Sequence, residues 1–338
     1  MTFLLATLTW PASNPAAELI PDEPFECAAC EEWNRPQAPF RIFGNTWYVG
    51  PQGLTALLVE AGVDKNGRPA LVLLDGGLTQ SAALIDANVR VAGFDPADIR
   101  VILNSYAHFD HAGGIAALQR ATGARVIVSE PAEKAFQTGQ VPASDPQAGY
   151  APDNGFPPVE NVETLPDGGA FTVGDTTFTL HWTPGHTPGS TSWSWDSCNR
   201  DGVCAIVPYA DSLGVASAPG FRFSDPLAAF ERRSTAALMA GSIGFLCRFD
   251  CGVLLFPHPF YFSFEDKLAA RGAGEASTPF LRPTDCRAAA DRFEGALQRR
   301  LDQELRASPD RRHQQSPQRS CNRFSTTRHT LRLMPIPR

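Results

Sequence analysis

Four histidines of this chain stand among residues that metal chemistry would use. The chain has seven in all, His108, His111, His181, His186, His258, His313 and His329. His108, Asp110 and His111 crowd together in "NSYAHFDHAGG", His186 is framed by prolines and glycines in "TPGHTPGST", and His258 stands between two prolines in "LLFPHPF". Neutral imidazole and carboxylate are zinc ligands, and a catalytic zinc takes three of them and keeps one position open. Taken singly, each histidine reads equally well as a turn or core residue satisfied by a backbone carbonyl. Together they are harder to dismiss, because all four occupy constrained loops at strand ends, as a metal site on one sheet edge would require. Proline fixes φ and glycine permits close backbone approach, so His186 is held on a rigid loop. Pro259 pushes His258 toward extended backbone. Tyr106 stands where a further histidine would complete the first set.

The elements that must carry these loops alternate between strand and helix. "TWYVG", "LTALLVEAG" and "ALVLLDGG" read as strands, with a turn at "DKNGRP". A helix is expected from Thr79 to Ala92, where Ala82, Ile85, Val89 and Ala92 share a face and Gly93 stops it. The buried strand "IRVILNSY" delivers the first histidine cluster at its C-terminal end, and "GGIAALQRATG" begins a helix. Strand, loop and helix continue through "ARVIVSE" and "PAEKAFQTG", and 143–158 is a loop rich in Pro, Gly and Asp. The second half reads as strands at "GAFTVGDTTFTLHW", "STSWSWDS" and "VCAIVPYADS", a helix from Pro226 to about Ala240, the strand "CGVLLFPHP", and a closing helix from Thr284 to Arg306 begun by an N-cap threonine. This alternation predicts an α/β class, with sheets sandwiched between helices on both outer faces.

The bulk numbers bound the rest. At 338 residues, one large α/β domain with ragged ends accounts for the length. A net charge of -7 with no clustered basic surface in the body argues against a nucleic-acid partner, and no apolar run is long enough to span a membrane. Residues 1–32 read as an export signal and N-terminal segment, although the apolar start "MTFLLATLTWPASNPA" has no Lys or Arg before Arg35. Residues 33–306 form the domain, and 307–338, with seven arginines against one aspartate, read as a basic disordered tail. Eight cysteines favour export over reduced thiols in a cytosolic protein. A bridge from Cys251 to Cys286 would close a loop of 35 residues. Cys27 and Cys30 form a CxxC, without the second CxxC or the βαβ unit that would make it a zinc or redox motif.

"HFDHAGG", "PGHTPGSTSWSW", "YADSL" and "PHP", in this order and spacing, resemble the metallo-β-lactamase superfamily and specifically its subclass B3; "FGNTWYVG" and "APGFRFSD" are also similar to that subclass. The resemblance covers roughly Trp33 to Arg306. It implies an αββα sandwich with one or two zinc ions that opens the β-lactam amide by metal-activated water. Carried over by position, site one uses Tyr106, His108 and His186, and site two uses Asp110, His111 and His258. Site two is complete and the more secure. Site one carries tyrosine in place of its first histidine, and a phenol of pKa near 10 must lose its proton before it binds metal strongly. A weak Tyr-ligated site, an empty site and a rearranged site all remain open, with His181 as a surrogate ligand or, on its strand beside Trp182, a structural residue. Asp110 or His186 would orient or deprotonate the attacking water and Tyr106 would donate a hydrogen bond.

Ser212 matches the family's serine that helps to hold the substrate carboxylate, while the serine often found two positions later is Gly214 here. Asp211 is expected to cap or orient the strand end rather than to bridge metals as in other hydrolases of the superfamily. The resemblance also implies disulfides between Cys251 and Cys286 and between Cys198 and Cys204. It leaves Cys27 and Cys30 without the usual partner, since Gln52 stands there, and Cys247 and Cys321 unassigned. The function implied is a periplasmic or secreted, monomeric zinc hydrolase of β-lactams that confers antibiotic resistance. The alternatives are a hydrolase of the same fold acting on a lactone or thioester, and a zinc-binding protein whose active site has decayed.

Overall fold

Leu57, Val59, Val72 and Leu74 belong to one apolar cluster, whereas Leu58, Leu71 and Leu73, interleaved with them, belong to another. Successive side chains of a strand point to opposite faces, so this first sheet is apolar on both and must be covered on both. The computed structural model describes residues 18–64, 66–151, 154–225, 234–249, 251–272 and 279–307.

The first sheet takes its strands in chain order: β1 Phe40–Phe43, β2 Thr46–Tyr48, β3 Leu57–Val63, β4 Pro69–Leu74, β5 Ile99–Leu103, β6 Arg125–Ser129 and β7 Val162–Leu165. Pairing is antiparallel from β1 to β4 and parallel from β4 to β7. The second sheet is antiparallel, in the order β11-β10-β9-β8, with β8 Ala170–Val173, β9 Thr176–Trp182, β10 Thr191–Cys198 and β11 Cys204–Tyr209. The helices are α1 Cys30–Trp33, α2 Ser81–Val91, α3 Phe109–Ala112, α4 Ile115–Thr122, α5 Glu133–Thr138, α6 Thr235–Phe245, α7 Phe264–Gly272 and α8 Asp285–Ala307.

Leu58, Leu73, Ile102 and Val126 pack under Ile85 of α2, Leu118 of α4 and Phe136 of α5. The other face meets Phe178, Leu180, Trp193 and Val207 of the second sheet. Met239 and Ile243 of α6 and Phe293 and Leu297 of α8 complete that cluster. The result is the expected αββα sandwich, and the parallel strands β4, β5 and β6 deliver their C-terminal ends to the edge where ligands gather in open α/β sheets.

Several elements depart from the sequence reading. "CGVLLFPHP" is not a strand: it runs beside β11 with one isolated bridge, Tyr209 to Leu255. Pro208 explains this, because its carbonyl accepts from the Leu255 amide but it has no N–H to return a bond. The helix expected from Pro226 begins, in its described part, at the Ser234 cap, whose hydroxyl accepts from the Ala237 amide, and runs on to Phe245; residues 226–233 lie outside the described residues. Strands β1 and β7 and helices α1 and α7 went unread. Cys27 and Cys30, left unpaired by the sequence reading, are bonded to each other, and Cys198–Cys204 and Cys251–Cys286 pair as expected. No described cysteine is free, and Cys321 lies outside the described residues.

The export signal was read in residues 1–32, of which 1–17 lie outside the described residues, as does the basic tail from 308 onward. Residues 18–32 pack on the body: the Phe25 ring stacks on Phe109 at 4.1 Å and Arg120 pairs with Asp22 at 2.8 Å. Among the described residues no helix is long and apolar enough to cross a membrane.

The Cys251–Cys286 bridge joins the segment before His258 to the start of α8 across 35 residues. In the chain-entropy account, closing a loop of that size stabilises by about 3 to 4 kcal/mol. Replacing both cysteines with serine should lower the unfolding free energy by about that amount in denaturant titration; an unchanged midpoint would show that the bridge contributes nothing.

Candidate metal centre

Asp75 follows β4 in a left-handed backbone conformation, φ 62°, which a residue with a side chain rarely adopts. Four donors hold it there. Its Oδ1 accepts from the Asn104 amide group at 3.0 Å and the Ser105 backbone N–H at 2.7 Å, and its Oδ2 from the Ser105 and Tyr209 hydroxyls, each at 2.6 Å. The second sheet is tied to the same loop: the Thr191 amide donates to Ser105 O at 2.7 Å and the Trp193 indole to Asn104 O at 2.9 Å. The histidine loop after β5 is thereby anchored from both sheets.

From this anchored loop, Asp110 and His111 rise on the short helix α3 and meet His258, which arrives from the second half. The Oδ2 of Asp110 lies 3.2 Å from His111 Nε2 and 3.3 Å from His258 Nε2, and the two Nε2 atoms are 3.3 Å apart. Ligand atoms at 2.0–2.1 Å from a tetrahedral metal stand about 3.3 Å from one another, so the three atoms trace one face of such a coordination shell. Among the described residues this is the only group of three or more His, Cys, Asp or Glu side chains that converges in this way. All three are buried. The other nitrogen of each ring faces an acceptor. His111 Nδ1 faces Asp75 Oδ2 at 3.6 Å, and His258 Nδ1 faces Gly53 O at 3.4 Å.

The electrostatics suit a cation. Burial opposes the charge on Asp110, yet His111 and His258 hold its carboxyl well below the usual range. Burial likewise opposes a charge on His111, but Asp110 and Asp75 outweigh it and raise its pKa to about 9. Asp211 is fully buried, and burial pushes its pKa well up although the Ser190 hydroxyl and the Ser212 backbone amide act to lower it. Its backbone amide donates to the Ser192 hydroxyl at 3.0 Å.

Tyr106, His108 and His186 form a ring cluster beside the first three. The Tyr106 ring centroid lies 4.4 Å from that of His111, 4.6 Å from His186 and 5.3 Å from His108. Burial, then Asp110 and Asp211, raise the phenol well above its ordinary pKa, so without a cation it keeps its proton. His186 donates from Nδ1 to Gly214 O at 3.2 Å, which leaves Nε2 with its lone pair, and burial lowers its pKa to about 3. Gly185, at φ 144°, sets that ring's approach, and a Cβ there would lie 2.9 Å from the Met239 backbone. His108 is differently engaged, its Nε2 on the Asp145 carboxylate at 3.1 Å and its Nδ1 3.4 Å from the Gln147 side-chain nitrogen. His181 belongs to the sheet, bonded to Ser194 Oγ at 2.8 Å and packed on Phe245, with its pKa lowered by burial to about 4. Ser212, also buried, follows Asp211 beyond β11.

Sequence reasoning missed Asp75 and Asp145. The only local signal for Asp75 is the break "LLDGG" at a strand end, and Asp145 sits in a loop with none.

Residues 42–199 match the family profile described as the metallo-beta-lactamase superfamily. The chain is similar to the Rm3 metallo-beta-lactamase, with 42% identity over 82% of this chain and 99% of that one and a TM-score of 0.75. It is similar to MEM-A1, a subclass B3 metallo-beta-lactamase isolated from a soil metagenome library, with 37% identity over 82% of this chain and 100% of that one and a TM-score of 0.75. It is also similar to the metallo-beta-lactamase SMB-1, solved in a complex with mercaptoacetic acid, with 35% identity over 80% of this chain and 99% of that one and a TM-score of 0.73.

A cation entering among Asp110, His111 and His258 displaces the proton that His111 holds below its pKa of about 9. Calorimetry at pH 7 in buffers of different ionisation enthalpy should show about one proton released per zinc bound, with affinity rising as pH approaches 9. The sign for the metal-free protein is opposite, since a raised histidine pKa stabilises it below about pH 6.5 and that contribution fades as pH rises through about 9. Buffer-independent heats would contradict this protonation scheme.

Proposed function

The chain belongs to the metallo-beta-lactamase superfamily, and from that premise we propose that it is a zinc-dependent hydrolase of the subclass B3 kind that opens β-lactam rings. The observation that carries the reading is the triad Asp110, His111 and His258, whose ligand atoms stand 3.2–3.3 Å apart. Those three residues would hold one zinc, and Tyr106, His108 and His186 would form a second, weaker site. Zinc supplies Lewis-acid polarisation of the lactam amide and lowers the pKa of water toward neutrality.

The chain's own side chains divide the remaining work. Water adds to the lactam carbonyl carbon, the C–N bond breaks, and the departing nitrogen takes up a proton. Asp110 stays ionised and is the acceptor that aligns the water. His186, with a pKa of about 3 and a free Nε2, is too weak a base to deprotonate water at neutral pH and serves as a ligand or orienting acceptor. Tyr106 keeps its proton unless a metal takes it, and donates a hydrogen bond into the site. Ser212 holds the substrate carboxylate.

Three disulfides among the described residues support an exported protein, periplasmic or secreted, since such bonds persist in oxidising compartments. Released there, the activity would protect a cell against β-lactam antibiotics.

Loss of penicillin or carbapenem absorbance, followed with added zinc and again with a chelator, tests the reading. Zinc-dependent hydrolysis is expected, and its absence in folded, zinc-loaded protein would overturn the proposal. Tyr106→His should raise bound zinc from about one toward two per chain and increase turnover by about tenfold or more. Unchanged zinc content and rate would mean that Tyr106 does not limit the second site.

A further inference from the structure

Gly214 stands two residues beyond Ser212, and its carbonyl accepts from His186 at 3.2 Å. A Cβ built on Gly214 would lie 2.4 Å from the Tyr261 hydroxyl oxygen and 3.6 Å from Ser212 Oγ. The phenol therefore fills the space that a side chain at 214 would take, on the same side as the Ser212 hydroxyl.

Tyr261 comes from just past His258, where its backbone amide donates to His258 O at 3.1 Å. Its ring centroid is 6.2 Å from the His258 ring and 5.0 Å from Phe293, so the ring is wedged between the ligand loop and α8. The hydroxyl end lies beside the Ser212 hydroxyl, where Asp211 and Asp110 act on it electrostatically. At the backbone end of the residue, the Arg292 guanidinium donates to the Tyr261 carbonyl.

Two hydroxyl donors side by side are what a carboxylate can engage with both oxygens, because it only accepts hydrogen bonds. We propose that Tyr261 and Ser212 form a two-hydroxyl clamp for the carboxylate carried by a β-lactam, with Tyr261 supplying from a different segment the donor that Gly214 lacks. This rests on the β-lactam reading of the site. Tyr261 is here a specificity-determining residue, and Gly214 leaves the space that its hydroxyl takes.

Tyr261→Phe keeps the ring and its packing and removes only the hydroxyl, so it isolates the clamp. In the zinc-loaded full chain, the dissociation constant of ring-opened penicillin, measured by calorimetry, should rise about tenfold, the loss of one charge-assisted hydrogen bond. The KM for penicillin should rise by a similar factor with kcat within about twofold. The corresponding carboxylate methyl ester should bind wild type and Tyr261→Phe alike. Adding Gly214→Ser to Tyr261→Phe should restore most of the affinity, since the serine then has room and offers the missing donor. Unchanged product binding in Tyr261→Phe, or an equal loss for the ester, would overturn the clamp. A wild-type protein that binds the ring-opened product but hydrolyses no β-lactam would refute the hydrolase reading, and the binding comparison would still decide the clamp.

Discussion

The site depends on the Asp75 carboxylate, which collects four hydrogen bonds from three residues on two sheets while its backbone is held at φ 62°. A strained backbone persists only where its surroundings over-determine it. Here Asn104 and Ser105 begin the histidine loop, and Tyr209 ends β11. One buried acceptor thus fixes the distance between the strand ends that carry Asp110 and His111 and those that carry Asp211 and Ser212. Asp75 Oδ2 also faces His111 Nδ1 at 3.6 Å, and the Nε2 of the same ring faces Asp110 and His258.

What Asp75 assembles is a region of buried acid that favours a cation. Asp110 and Asp211 are both buried, but their environments drive them apart: the histidines beside it keep Asp110 ionised, while burial pushes Asp211 toward its protonated form. Tyr106 answers to the same field, its phenol held in the protonated state by burial and by those carboxylates. The two halves of the centre are therefore unequal. Asp110, His111 and His258 are set for a metal by geometry and charge, whereas the neighbouring half offers a protonated phenol, a histidine bound to Asp145 and one free imidazole nitrogen.

The residues legible in the sequence were those whose backbone context is local. His108, Asp110 and His111 follow an apolar strand, and His186 and His258 are bracketed by proline and glycine, so strand ends and rigid loops mark them without knowledge of the fold. Asp75, Asp145 and Tyr261 act through contacts with residues far away in sequence, and no local pattern announces them. Tyr261 matters only because Gly214, 47 positions earlier, leaves room for it. The same limit governs the fold. The strands β1 and β7 are four residues each, too short to show a period, and the apolar run "CGVLLF" reads as a strand until Pro208 is placed beside it. The sandwich itself was legible because two-faced apolar strands alternating with helices have few other ways to be covered.

If the proposed function holds, the centre is asymmetric and the Asp110, His111 and His258 half takes metal first. X-ray diffraction at the zinc absorption edge, from crystals supplied with one equivalent of zinc, tests this directly. The expected result is a single strong anomalous peak about 2 Å from Asp110 Oδ2, His111 Nε2 and His258 Nε2, with little density among Tyr106, His108 and His186. A principal peak between His108 and His186, with the Asp110 group bare, would contradict it.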